Sequence, residues 1–243
     1  QRWIGTGPKG LTQGSVPATG ELWSYFQARM SEYEARLLEW GVSKAMTSAD
    51  VDAALSGQPK VLLATEAANF LEGDVSRLTW AHDKGVRHLQ LVQYIQSPLG
   101  DHQTAEPVQG GLTPLGVKVV AECKRLGIAV DLAHGTAELV SGALDASDAA
   151  MVWSHSWIRP QGGTFRDVGW IARSLALSTA QKIAARGGVV GLWNLQIRLE
   201  PAYPINSIKT YADEIMRMSD LIGPEHVAFG TDMEGVWPGR LMT

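Results

Sequence analysis

Residues 127–156 read GIAVDLAHGTAELVSGALDASDAAMVWSHS, and the fold turns on how this stretch divides. Ile128-Ala129-Val130 and Ala149-Ala150-Met151-Val152-Trp153 are apolar runs too short for free-standing helices. Both read as buried strands, each leading to a histidine, His134 and His155. Between them Ala, Leu, Val and Leu recur at helical spacing from Thr136, a candidate cap, to Ala146. Strand, helix, strand is a parallel crossover. It puts both histidines at the carboxyl ends of neighbouring strands, the edge where parallel sheets and barrels build their sites.

The same alternation runs outward in both directions. Upstream, helices are expected over residues 21–40, 48–55, 71–84 and 114–126, and buried strands over Lys60 to Glu66 and His88 to Gln93. A polar loop from Ser97 to Gly111 is long enough to lie over a site. Downstream, helices are expected over 177–186 and 206–222, and strands over Gly187 to Trp193 and His226 to Asp232. Residues 1–20, rich in Gly, Thr and Pro, read as a loop or arm. No composition break divides 21–243, so that span reads as one domain. Six strands alternating with helices mean an α/β fold, either a doubly wound sheet or a (β/α) barrel. The barrel is favoured because Glu66, His134, His155 and Asp232 close four of the six strands, and a closed barrel gathers such ends at one mouth.

The chain has 243 residues and 45% hydrophobic composition, enough for a sizeable core, and a formal charge of -4. No basic cluster points to nucleic acid, and no apolar run approaches the roughly twenty residues that span a bilayer. Cys123, the only cysteine, excludes an internal disulfide and a cysteine-rich metal site. Any metal must be held by His, Asp and Glu. The start at Gln1 and the stop at Thr243, just past a strand-like run, lead us to expect a processed or truncated chain.

Two neutral imidazoles and a carboxylate are ligands that zinc accepts, although each histidine on its own also reads as a hydrogen-bonded core residue. Glu66 is either an exposed acid or, if buried behind Leu62-Leu63-Ala64-Thr65, in need of a metal or base nearby. Asp232 follows the same logic, and an acid at a barrel mouth can deprotonate a water. Arg166, in a loop, is either solvated or a two-pronged clamp for a carboxylate. His82, His88, His102 and His226 read as structural or solvated. The Gly-Gly pairs lack the spacing of a phosphate loop.

The runs GLTPLGVKVVAECKRLGIAVDLAH (111–134) and VWSHS (152–156), with TEAANFLEGD (65–74), GVRHLQLVQ (85–93) and HVAFGTDMEGV (226–236), resemble the membrane (renal) dipeptidase family of amidohydrolase-like metallopeptidases. The resemblance is collinear from about Thr47 to Val236. It implies a (β/α)8 TIM-type barrel, here incomplete at its first strands and C-terminal end, that hydrolyses dipeptides with two zinc ions. By the same resemblance His134 and His155 are the imidazole ligands of one zinc and Glu66 bridges both metals. Asp232 handles the nucleophilic water, and Arg166 binds the substrate carboxylate. A periplasmic or extracellular location is implied likewise, and a homodimer is a separate expectation.

Three departures stand against the family pattern. The His-x-Asp strand that holds the other zinc does not occur in these residues, so one zinc site is supported here. Gln93 replaces a histidine that contacts the scissile group, and glutamine binds an oxyanion but shuttles no proton. Ala67-Ala68-Asn69 replaces a glycine-rich segment. Two functions follow as expectations: zinc-dependent hydrolysis of dipeptides or similar small amides, or a repurposed relative that acts on or binds a different peptide-derived molecule.

Overall fold

The computed structural model describes residues 2–160, 168–193, 205 and 207–232. Strands β1 (Ile4–Gly7) and β2 (Gly10–Gln13) form an antiparallel hairpin ahead of α1 (Glu21–Trp40). β3 (Ser43–Lys44), α2 (Ser48–Leu55) and β4 (Lys60–Val61) make a small parallel unit. The main sheet then runs through β5 (Leu63–Thr65), α3 (Arg77–Asp83), β6 (Val86–Gln90), α4 (Pro114–Leu126), β7 (Ala129–Asp131), α5 (Ala137–Ala146) and β8 (Val152–Ser156). It continues with α6 (Val168–Arg173), α7 (Leu177–Ala185), β9 (Val189–Trp193), α8 (Ile208–Ile222) and β10 (Val227–Gly230).

Every strand from β5 to β10 pairs in parallel with the next one in the chain, and the order never reverses. A doubly wound sheet reverses at a switch point. Unbroken sequential order with intervening helices is that of a (β/α)-barrel arc, with β5 and β10 as its edges among the described residues. Helices α3, α4, α7 and α8 pack on β6, β7, β9 and β10. Leu78, Leu89, Val120, Leu139, Val190 and Met218 are fully buried between these layers. Each such side chain contributes about 1.5–3 kcal/mol by leaving water.

Local chemistry sets the element ends. Thr47 and Asp50 form a reciprocal capping box at α2, Thr113 caps α4 with Pro114 in the first turn, and Thr136 caps α5. Gly41 and Gly127 stop α1 and α4 in the left-handed region. Helix α1 docks through Phe26, whose ring stacks on Phe70 at 3.9 Å between centroids, while Tyr33 and Leu38 of the same helix face solvent. Cys123 is buried in α4, and burial first, then the Glu122 charge, pushes its thiol up to about 12. No helix among the described residues is long and apolar enough to cross a membrane.

Several expectations need correction. Residues 1–20 contain a hairpin; glycines there allow close strand approach but carry no side chains to show an alternating pattern. The expected strand 60–66 is two short strands in different sheets, with Leu62 between them 47% exposed. The helix expected over 71–84 begins only at Arg77, because Glu72 and Gly73 adopt positive φ and the Asp74 carboxylate accepts from Ser76 N–H. β6 starts two and ends three residues earlier than expected, and α6 was not expected.

β8 is irregular between Trp153 and Ser156, where its register against β9 shifts. The Ser154 carbonyl consequently lies 2.0 Å from where a Cβ would stand on either Gly191 or Gly230. Gly191→Ala should therefore destabilise the fold by about 1–3 kcal/mol, while Leu38→Ser on the exposed face of α1 stays within about 0.5 kcal/mol. Urea unfolding midpoints check this; an unchanged midpoint for Gly191→Ala would mean the β8–β9 spacing does not depend on the missing side chain.

Candidate metal centre

The buried carboxylate of Asp131, the last residue of β7, organises the strand ends. Its Oδ1 accepts from Ala133 N–H (2.9 Å) and from Ser154 N–H (3.1 Å), and its Oδ2 lies 3.1 Å from His88 Nε2. Burial alone would raise its pKa, but the His88 contact and charge hold it below the usual carboxylate value. The first bond curls the chain immediately after β7, so that His134 sits at φ 69° three residues past the strand, not at its last position. The loop over 97–111 closes on this turn: Gln103 N–H donates to the His134 carbonyl at 2.7 Å, and Asp101 gathers the N–H groups of Val108, Gln109 and Gly111.

Three donor atoms converge there. His134 Nε2 lies 3.0 Å from His155 Nε2 and 3.2 Å from Glu66 Oε1, and His155 Nε2 lies 3.7 Å from that same oxygen. Ligands about 2.0–2.1 Å from one tetrahedral ion stand at such separations, so the donor set fits a single zinc. Burial first, then the neighbouring Arg173 charge, pushes His134 well below the ordinary imidazole value and His155 down to about 4. Both rings are neutral at pH 7, as metal ligands must be.

One hydrogen bond fixes the tautomer of His134. Arg173 Nη2 can only donate, and it lies 3.1 Å from His134 Nε2, so that nitrogen is the acceptor and the proton sits on Nδ1, which is buried with no partner among the described residues. His155 Nε2 lies 3.0 Å from the same His134 Nε2, and Ser154 Oγ lies 2.8 Å from His155 Nδ1. A cation taking both Nε2 lone pairs needs His155 protonated on Nδ1, where its N–H donates to the Ser154 hydroxyl.

Glu66 follows β5 directly and is 39% exposed, the partly solvated member of the trio. Asp232, two residues past β10, shares with Glu66 and His155 the lining of a cavity of about 310 Å³. Burial and then the Glu66 charge raise Asp232 to about 6, against a 3.2 Å hydrogen bond from Trp193 Nε1. Gln93 is half-buried in the turn past β6 and does not line this cavity; Arg166 lies outside the described residues.

His102 and His226 are structural as expected: His102 is buried beside Thr104, and His226 Nδ1 lies 2.8 Å from the Gly188 carbonyl. His88, read as structural or solvated, faces the cavity. Missed altogether were Asp131, Tyr94, whose ring meets His134 edge-on at 4.8 Å, and Arg173. The signal for Arg173 was a charge inside the apolar run Ile171 to Leu177, where a cation must find a partner.

Three of the four non-glycine residues with positive φ among the described residues, Ala67, His134 and Asp232, sit at these strand ends. Ala67, at φ 83°, occupies a conformation that costs a side-chain-bearing residue about 1–2 kcal/mol. Ala67→Gly should therefore raise stability by about 0.5 kcal/mol or more, after the added chain entropy of glycine. Thermal unfolding measures it, and a lowered midpoint would contradict the strain.

The family pattern of the membrane dipeptidases (Peptidase family M19) matches residues 24–239. Dipeptidase aclJ of Aspergillus oryzae is 28% identical over 193 residues, covering 75% of this chain and 42% of that protein. The chain spans less than half the length of the curated dipeptidases it matches. The crystal structure of the probable dipeptidase PvdM from Pseudomonas aeruginosa superposes with a TM-score of 0.77 at 18% identity, covering 90% of this chain and 70% of that one. A metallo peptidase from Rhodobacter sphaeroides, liganded with a phosphinate mimic of the dipeptide L-Ala-D-Ala, gives 0.69 at 23% identity, covering 89% and 61%. With a family match over most of its length and the fold of these structures, the chain belongs to the membrane dipeptidase family.

Proposed function

We propose that residues 21–243 belong to one metal-dependent hydrolase domain that cleaves dipeptides or similar small amides, acting in the periplasm or outside the cell. The observation that carries this reading is the convergence of Glu66 Oε1, His134 Nε2 and His155 Nε2 at 3.0–3.7 Å beside the cavity that Asp232 also lines. Glu66, His134 and His155 would hold a zinc ion, which would supply Lewis acidity to the scissile carbonyl and to the attacking water. Asp232 takes the proton of that water and returns it to the leaving amine. Its raised pKa suits this work, since a base near 6 is charged at neutral pH and still holds a proton well. Arg166 anchors the free carboxylate of the substrate, and the neutral imidazoles keep their lone pairs directed at one point.

A second reading is favoured by Gln93. An amide stands where a proton-shuttling ring is expected and lies off the cavity lining, which fits a repurposed relative acting on or binding another peptide-derived molecule. If Gln93→His raises dipeptide turnover, the repurposed reading gains; fast turnover by the native protein removes it.

On the full-length protein, His134→Ala and His155→Ala should each lose bound zinc, measured by elemental analysis, and lower kcat/KM by at least about 100-fold. A well-folded protein with neither metal nor turnover ends the hydrolase reading.

The pH profile gives a further check. Asp232 works as a carboxylate, so kcat/KM should fall about tenfold per pH unit on the acid side of about 6, or lower where a bound cation offsets the Glu66 charge. Asp232→Asn should abolish turnover while zinc stays bound. A native profile flat down to pH 4 would remove Asp232 from the role of base.

A further inference from the structure

Hydrolysis by the proposed route builds negative charge on the carbonyl oxygen of the scissile bond. A neutral donor facing that oxygen stabilises the transition state more than the substrate. The roles given above to Asp232, Arg166 and the metal ligands leave that donor unassigned. Several polar groups near the centre are already committed: Trp193 Nε1 to Asp232, the Ser154 hydroxyl to the His155 ring, and Arg173 to Gln103 and His134. Tyr94 is placed differently. It lies in the turn four residues past β6, half-buried, and its ring meets the His134 ring at 4.8 Å between centroids and 84° between planes. Neither Tyr94 nor Gln93 lines the cavity of about 310 Å³; Tyr94 reaches the metal centre from the turn, against the imidazole itself.

The charges that act on its hydroxyl are those of Arg173, Glu66 and Asp232, which puts the phenol oxygen among the groups around the metal position. Arg173 is also its hydrogen-bond partner. A guanidinium only donates, so the phenol oxygen accepts there, and its own O–H proton is left for another acceptor. A phenol keeps that proton at neutral pH. We infer that Tyr94 is a catalytic residue whose O–H donates to the carbonyl oxygen of the scissile amide as that oxygen takes on charge. Water adds to the carbonyl carbon as Asp232 takes its proton. The C–N bond then breaks as Asp232 returns that proton to the leaving nitrogen, giving an acid and an amine, and Tyr94 keeps its own proton throughout. This rests on the reading that Glu66, His134 and His155 hold a metal beside Asp232. With its ring held by His134 and its oxygen by Arg173, the phenol needs little ordering at the moment of reaction.

Tyr94→Phe removes one oxygen and keeps the ring against His134. In the full-length, zinc-loaded protein it should lower kcat for L-Ala-D-Ala by about 100-fold or more and leave KM within about threefold. A phosphinate mimic of that dipeptide, which puts a tetrahedral anion at the reacting centre, should bind Tyr94→Phe about tenfold or more weaker than the native protein by calorimetry. Zinc content by elemental analysis should stay at the native value, whereas loss of a merely structural phenol would lower zinc and turnover together. An unchanged kcat, an unchanged phosphinate affinity, a KM that rises while kcat holds, or a kcat that falls only in step with lost zinc overturns the inference and leaves the metal centre and the hydrolysis standing. A native protein that neither turns over the dipeptide nor binds the phosphinate overturns both. Should Tyr94→Phe fail to fold by circular dichroism, Tyr94→Leu carries the same expectations.

Discussion

The Asp131 carboxylate is the joint on which the strand ends depend. One buried anion reaches three strands: it terminates β7, receives an N–H from β8 and faces the His88 ring of β6. Burying a lone carboxylate costs several kcal/mol, and only this arrangement of two backbone donors and an imidazole offsets it. Because Oδ1 also captures the Ala133 N–H, the same contact that stabilises the charge bends the chain and delivers His134 to its place. Fold and site are thus coupled through a single side chain, one shell behind the atoms that do chemistry.

Much of the frame was legible because it rests on short-range rules. Thr47, Thr113 and Thr136 cap helices by local hydrogen bonds, and buried runs of Val, Leu and Ile mark β6 to β9 without reference to anything distant. The gathering of Glu66, His134, His155 and Asp232 at one edge was legible for a related reason, since parallel strands put all their carboxyl ends on the same side. The elements misread depend on contacts that no local pattern encodes. The early hairpin is held by glycine backbones, and the late start of α3 by a left-handed Glu72. Arg173 reaches His134 across 39 positions of sequence and through an element too short to show periodicity. The resemblance named the ligand set but did not show that an arginine lies on one of its nitrogens.

Electrostatically the pocket is a balance of unequal parts. The Glu66 charge raises the cost of ionising Asp232, Arg173 supplies one fixed positive charge, and the imidazoles stay neutral between them. Such a pocket has a deficit of positive charge that a divalent cation can fill. The left-handed backbone at Ala67, His134 and Asp232 belongs with this picture: strain is tolerated where the surroundings dictate the position of a side chain, and here it marks three of the strand ends.

The lone thiol in α4 gives this molecule a property unrelated to its site. Cys123 is sealed beneath the sheet with its proton held tightly, so a thiol-directed reagent in the surrounding water finds nothing to attack while the chain remains folded. Alkylation of that one sulfur becomes a clock for transient opening of the core. Any ligand that binds the closed form will slow the clock, whether or not it is turned over.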